Sequence, residues 1–371
     1  MYKNSEDYSA VLVLQDGRSF WGKSIGKKGE AVGEVCFTTS MTGYQHTITD
    51  PSFAEQIITF TFPHIGNVGI NDKDYERQKI FASGIVVREI SQAYHSSCKM
   101  DLDDWLKQNE IVGISGVDTR ALTNHLRRYG HQSGVICSPD DLQNIKKDFL
   151  PSEGLDLASK VNKHNDYIVK EGDGNLDYNV VIVDFGVKSG IISCLISLGC
   201  KVIVVAAKEN FAEEVLSLKP DGIVLSNGPG DPLAMAKYAA REINILIKSN
   251  LPIFGICLGH QLLAITLGAR TIKMNLGHRG NNHPVCEVGS TKVEITTQNH
   301  GFVVDPKTLP SNVEVTHISL FDNSIEGIKL KEYPVFSVQY HPEGSPGPYD
   351  SHYLFKRFVD NMKKQKDSYC S

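Results

Sequence analysis

The sequence of 371 residues has no apolar run near the roughly 18 residues that a membrane-spanning helix needs. It has no block of like charge either: 38 lysines and arginines stand against 43 aspartates and glutamates, a net charge of −5. These absences argue against a membrane partner and against a nucleic-acid surface. The opening "MYKNSEDYSAVLVLQDG" lacks a long apolar segment and a small-residue cleavage site, so no signal peptide is expected. The cysteines, at 36, 98, 137, 194, 200, 257, 286 and 370, stand singly, and no C-x-x-C pair occurs. That pattern speaks against zinc ribbons and disulfide frameworks and predicts a reducing, cytoplasmic setting. Neither a G-x-x-x-x-G-K-[ST] phosphate loop nor a dinucleotide fingerprint after a strand is present, so no nucleotide cofactor is expected on this chain.

What is present divides into two grammars. Over 1–150, "AVLVLQDG" and "RSFWGKSIG" read as a strand and its return, and "EQIITFTFPHIG" has the β-branched and aromatic density of a strand. "VDTRALTNHLRRYG" reads as a helix, with Asp118 or Thr119 as cap, Leu122 and Leu126 on one face and Gly130 as the stop. Residues 151–178 are polar, rich in Gly, Asp, Asn and Lys, and are expected as a linker. From 179, near-continuous apolar runs such as "NVVIVDFG" alternate with helical patterns such as "SGIISCLISLGC". Runs of that kind are strands buried on both faces, and their alternation with helices implies βαβ units. The fold expected is therefore α/β. A doubly wound, mostly parallel sheet over 179–371 follows a strand-rich mixed α/β domain over 1–150.

In such sheets chemistry gathers at the carboxyl ends of strands. "PIFGICLGHQLLAITLG" places Cys257 at such an end, between Gly255 and Gly259 and at the start of a helix. G-x-C-x-G is the thiol form of a nucleophile elbow. The helix N-terminus favours negative charge at the sulfur, and the N–H of Leu258 is the natural first donor to an oxyanion. Taken alone, the motif is equally compatible with a buried structural cysteine. A nucleophile needs a base and the base an orienter. An apolar strand ending at Tyr340 is followed by His341-Pro342-Glu343, which supplies both, with proline restricting the backbone between them. Two further pieces are "LSNGPGDP", where Gly228 and Gly230 permit close approach and Gly230 offers a second oxyanion donor, and "ITTQNHGFVVD", where Asn299, Gly301 and Phe302 offer polar groups to a substrate. Standing alone, each of these two also reads as an ordinary turn.

In this order and on this background the four pieces resemble the class I triad glutamine amidotransferases. "GICLGHQ" is similar to their nucleophile motif and "HPE" to their base and orienter. Further stretches are "GEVCFTTSMTGYQHTITDPSF", "TFTFPHIGNVGIN", "VDTRALTNHLRRYG", "VDFGVKSGII", "SNGPGDP", "GHRGNNHPV" and "SPGPYD". These resemble the small-chain family of carbamoyl phosphate synthetases, over nearly the whole length. The resemblance implies hydrolysis of L-glutamine through a cysteinyl thioester, with Cys257, His341 and Glu343 as catalytic residues. It implies glutamine contacts at Ser40, Gly228, Gly230, Leu258, Gln261, Asn299, Gly301 and Phe302, and places His300 where subunits are coupled. It implies a large-subunit partner in a heterodimer. That partner holds ATP and Mg²⁺, receives the ammonia and makes carbamoyl phosphate from bicarbonate for arginine and pyrimidine synthesis.

One departure is His46, where the family motif leads one to expect an acidic residue. His278 and His283 in "GHRGNNH" have no carboxylate or cysteine nearby in a coherent ligand pattern, so no metal site is expected there. Three other readings compete: an amidotransferase serving another synthase, a catalytically silent regulatory subunit and a thiol peptidase. The N-terminal stretches speak against the first. The presence of Cys257, His341 and Glu343 speaks against the second. A pocket closed around one free amino acid would exclude the third.

Overall fold

The computed structural model describes residues 8–144, 153–162, 168–170 and 178–370. The chain divides into two compact units, 1–152 and 153–371.

The first unit is a closed barrel of seven strands: β1 (Ala10–Leu14), β2 (Ser19–Gly26), β3 (Ala31–Thr38), β4 (Gln56–Phe60), β5 (Gly84–Val86), β6 (Val112–Ser115) and β7 (Gln132–Cys137). Their order is β1-β2-β6-β5-β4-β3-β7. The β1–β2 hairpin turns through Gly17 at φ 88°, a left-handed value that glycine adopts without strain. β3, β4, β5 and β6 pair in parallel, and the remaining pairs are antiparallel. Leu12, Leu14, Ile57, Val86, Ile114 and Ile136 share one buried core with Leu122 and Leu126 of the helix Thr119–Tyr129. Asp118 caps that helix by accepting from the Ala121 N–H at 2.9 Å, and Gly130 ends it. His46 lies between two carboxylates, with Nε2 3.6 Å from Asp74 and Nδ1 3.5 Å from Glu76.

The second unit holds a ten-stranded sheet. Its strands are β8 (Ile168–Lys170), β9 (Tyr178–Asp184), β10 (Cys200–Ala206), β11 (Gly222–Leu225), β12 (Ile253–Ile256), β13 (Thr271–Glu287), β14 (Val293–Val304), β15 (Val313–Ser319), β16 (Ile325–Leu330) and β17 (Val335–Val338). The centre, β10-β9-β11-β12-β17, is parallel. Val181 and Val183 of β9 enter the core on one face, with Met235, Ile243 and Leu262. Val180 and Ile182 enter the other, with Phe254, Phe336, Leu354 and Phe358. Burial on both faces is what an unbroken apolar run encodes.

Antiparallel strands extend this centre on both sides. β8 pairs with β10, and β16, β15, β13 and β14 continue beyond β17. Part of the expected linker therefore belongs to the second unit, as β8 and the helix Ala158–Val161. Residues 151–152, 163–167 and 171–177 of that segment lie outside the described residues. The stretch 295–305, which by itself reads as a turn, lies instead almost wholly in β14 and faces the stretch 277–285 of β13, with His278 opposite His300 and Arg279 opposite Asn299. Their glycines and asparagines accompany register shifts within the ladder rather than loops.

Candidate active site

β12 ends at Ile256 and the helix Leu258–Thr266 begins after a single intervening residue. Cys257 occupies the joint at φ 53°, ψ −102°. A side chain in that region is strained by about 1–3 kcal/mol. The backbone is pinned: Cys257 N–H donates to the Val338 carbonyl at 2.9 Å and Gly259 N–H to the Ser226 carbonyl at 3.0 Å. A Cβ on Gly259 would stand 2.2 Å from the Leu225 carbonyl oxygen, so the helix packs against β11 only with glycine there. Leu258 is the first residue of the helix, where an N–H has no partner one turn back. Glycine at 257 relieves the strain that alanine keeps, so Cys257→Gly is expected to unfold at higher denaturant than Cys257→Ala, by about 1 kcal/mol or more. Equal midpoints would show the joint to be relaxed.

The sulfur lies 3.6 Å from the Asn299 carbonyl oxygen on β14, and the Gln339 amide nitrogen is 3.8 Å away. His341 follows β17 and is tied to β14 by a backbone bridge to Thr297. Its Nδ1 is 2.8 Å from the Glu343 carboxylate. Nε2 is buried without a hydrogen-bond partner, and the Cys257 side chain is among the neighbours that act on this imidazole. Glu343 is also held by Lys188 Nζ at 2.9 Å. All of these residues are buried, Cys257 to 3% exposure.

Burial disfavours the imidazolium, and Lys188 opposes it. The Glu343 carboxylate, with a smaller contribution from the neighbouring Cys257 side chain, outweighs both and raises His341 to about 10. Burial likewise works against the Glu343 carboxylate, but Lys188 and His341 hold it far below the usual carboxylate range. A histidine whose folded value is raised stabilises fully below its unfolded value of about 6.5 and loses that contribution as pH climbs towards 10. The stability advantage of the wild type over His341→Asn is therefore expected to shrink between pH 7 and 10, as read from denaturation midpoints. An advantage that grows over this range would overturn the assignment.

The other expected site residues fall as follows. Gly228 sits where a Cβ would stand 2.3 Å from the Phe185 carbonyl oxygen, and Gly230 adopts φ 99° against the backbone of Leu155 and Leu157. Gln261 is buried, and its amide nitrogen donates to the Phe302 carbonyl at 2.8 Å and to Gln339 Oε1 at 3.0 Å. It thus joins the helix behind Cys257 to β14. Asn299 touches the sulfur through its carbonyl, while Gly301 and Phe302 follow it on the same strand. Ser40 belongs to the first unit, where its hydroxyl accepts from Thr38 at 3.1 Å.

Sequence reasoning did not single out Lys188 or Gln339 as site residues. Lys188 is placed by a tight turn after β9. Asp184 Oδ1 accepts from the N–H groups of Gly186 and Val187, and Asn227 Oδ1 accepts from the N–H of Lys188. The signal available was a lone lysine amid the apolar run "VDFGVKSGII", since a buried lysine requires a charged partner.

Comparisons with known proteins match both parts of the chain to described families. Residues 181–361 match the family described as Glutamine amidotransferase class-I, and residues 12–136 match that described as Carbamoyl-phosphate synthase small chain, CPSase domain. Among curated relatives, the carbamoyl phosphate synthase small chain of Bradyrhizobium diazoefficiens is 49% identical over 97% of this chain and 96% of its own. Those of Zymomonas mobilis and Neisseria meningitidis are 47% and 48% identical, each over 96% of this chain and over 100% and 98% of their own lengths.

Proposed function

Because the chain belongs to the carbamoyl phosphate synthase small-chain family, we propose that it hydrolyses L-glutamine and delivers the ammonia to a large synthetase subunit. The observation that carries this reading is the buried series Cys257–His341–Glu343–Lys188, built at the carboxyl ends of parallel strands.

The chemistry follows from the proton positions. Cys257 Sγ attacks the side-chain carbonyl carbon of glutamine, and the carbonyl π electrons move to oxygen. The N–H groups of Leu258 and Gly230 receive that oxyanion. His341 Nε2 passes its proton to the amide nitrogen as the C–N bond breaks, and ammonia leaves behind a γ-glutamyl thioester. Nε2 then takes a proton from water, the hydroxide adds to the thioester and the C–S bond breaks. Glutamate is released and the proton returns to the thiol–imidazole pair. Glu343 holds Nδ1, so Nε2 keeps facing sulfur throughout. Gly228, Gly301 and Phe302 line the approach with backbone groups, and Gln261 fixes that frame.

No cofactor is assigned to this chain. ATP and Mg²⁺ belong on the large subunit, which pairs with this one as a heterodimer and makes carbamoyl phosphate for arginine and pyrimidine synthesis. Among the described residues no helix is long and apolar enough to cross a membrane, and a cytoplasmic location fits cysteines that stand singly in the sequence. The test is reconstitution with the large subunit. Carbamoyl phosphate should form from glutamine, bicarbonate and ATP, and a glutamine-like electrophile should label Cys257. Ammonia release without carbamoyl phosphate would point to an amidotransferase serving another synthase, and labelling elsewhere would overturn the nucleophile.

A further inference from the structure

The antiparallel extension brings together residues that lie far apart in sequence. His278 on β13 faces His300 on β14 as a direct cross-strand pair. Glu326 arrives from β16, two strands from β13 and three from β14 in sheet order. Glu326 Oε1 is 3.6 Å from His278 Nδ1 and 4.0 Å from His300 Nε2, and the three donor atoms all lie within 4.8 Å of one another. Their side chains are 0%, 10% and 1% exposed in turn. Ligands about 2.0–2.1 Å from a tetrahedral Zn²⁺ stand about 3.4 Å apart, so small side-chain shifts close this triangle.

From this geometry we propose that His278, His300 and Glu326 form a binding site for one divalent transition-metal ion of the Zn²⁺ type.

Three further observations support it. His278 Nδ1 is buried and has no hydrogen-bond partner, although a satisfied partner is the rule for buried polar atoms. The outer nitrogens are already anchored. Asp322 lies 3.1 Å from His278 Nε2, and the Phe302 carbonyl 3.0 Å from His300 Nδ1. Carboxylates and carbonyls in those places orient ligating imidazoles. Finally, a neutral His300 that donates through Nδ1 turns the Nε2 lone pair towards Gln298 Oε1, 2.9 Å away. A cation at Nε2 replaces this repulsion, and Gln298 keeps its bond to Glu326 Oε2. Two imidazole nitrogens and one carboxylate oxygen suit Zn²⁺ better than Mg²⁺ or Ca²⁺, which prefer all-oxygen sets. Asp322, 40% exposed beside His278, marks the way in. The bound ion would tie β13, β14 and β16 together next to Asn299, whose carbonyl touches the Cys257 sulfur.

The test uses the full chain carrying Cys257→Ser, which removes the thiol of the active site as a competing ligand. Equilibrium dialysis with Zn²⁺ should give one ion per chain, and excess Mg²⁺ should not displace it. Adding Glu326→Gln, which keeps side-chain volume, or His278→Asn should each weaken binding at least about tenfold. Loaded with Co²⁺, the protein should show the visible bands of a four-coordinate ion without a sulfur charge-transfer band. Circular dichroism reports whether each variant folds, and if His278→Asn does not, Glu326→Gln decides. No binding, or affinity unchanged by Glu326→Gln, overturns the site.

Discussion

Replacing Cys257 with serine is expected to lower glutamine hydrolysis by about four orders of magnitude or more. Members of a catalytic triad act as a unit, and loss of the nucleophile alone removes nearly all that the unit supplies. Serine adds a specific difficulty. Its hydroxyl is a weak nucleophile until a base takes its proton. At rest His341 already carries its proton, because Glu343 and its surroundings favour the protonated ring and raise it to about 10, so it is not free to take the serine proton. The arrangement suits sulfur, for which proton transfer to Nε2 precedes attack. Ammonia added directly to the assembled complex bypasses this step, so ammonia-dependent carbamoyl phosphate synthesis should persist in Cys257→Ser. Initial rates of glutamate formation and of carbamoyl phosphate formation from ammonium separate the two. Glutaminase activity within tenfold of wild type, or equal loss of both reactions, would sink the assignment.

The parts of this site legible in sequence are those encoded locally. Gly255-Ile256-Cys257-Leu258-Gly259 spells a joint between strand and helix because both glycines stand where a Cβ would meet neighbouring atoms. His341 and Glu343 are two residues apart, so their 2.8 Å contact needs only one turn of chain. The parallel centre was equally legible, since burial on both faces leaves unbroken apolar runs. What was hidden depends on long-range closure. Nothing in "AVLVLQDG" says that β1 pairs with β7 as well as β2 and so closes a barrel. β13 and β14 hide behind glycine, asparagine and histidine, since their ladder encloses polar side chains such as His278, Gln298 and His300. Without alternating hydrophobicity they carry no strand signal. The meeting of His278 with Glu326 and His300 is equally hidden in sequence, since they reach one another only through the folded sheet.

Lys188 gives the second large effect. Its ammonium and the Glu343 carboxylate form an ion pair whose side chains are 4% and 0% exposed. Removing one partner of such a pair strands the other charge away from water and costs about 3–5 kcal/mol, whereas removing both together is often nearly neutral. Lys188→Met and Glu343→Gln are therefore each expected to destabilise the chain by that amount, and the double variant to recover most of the loss. Activity should not follow stability. In Lys188→Met the imidazole keeps its carboxylate and loses a neighbouring positive charge, so the pH profile of glutamine hydrolysis should move to higher pH with His341. In the double variant His341 loses the carboxylate that orients Nδ1, and turnover should fall by at least about a hundredfold despite the restored fold. Denaturation midpoints for the four proteins, with kcat measured across pH, test both halves. Additive destabilisation in the double variant would show that Lys188 and Glu343 are not an energetic pair. Full activity in it would show that Glu343 does not position the base.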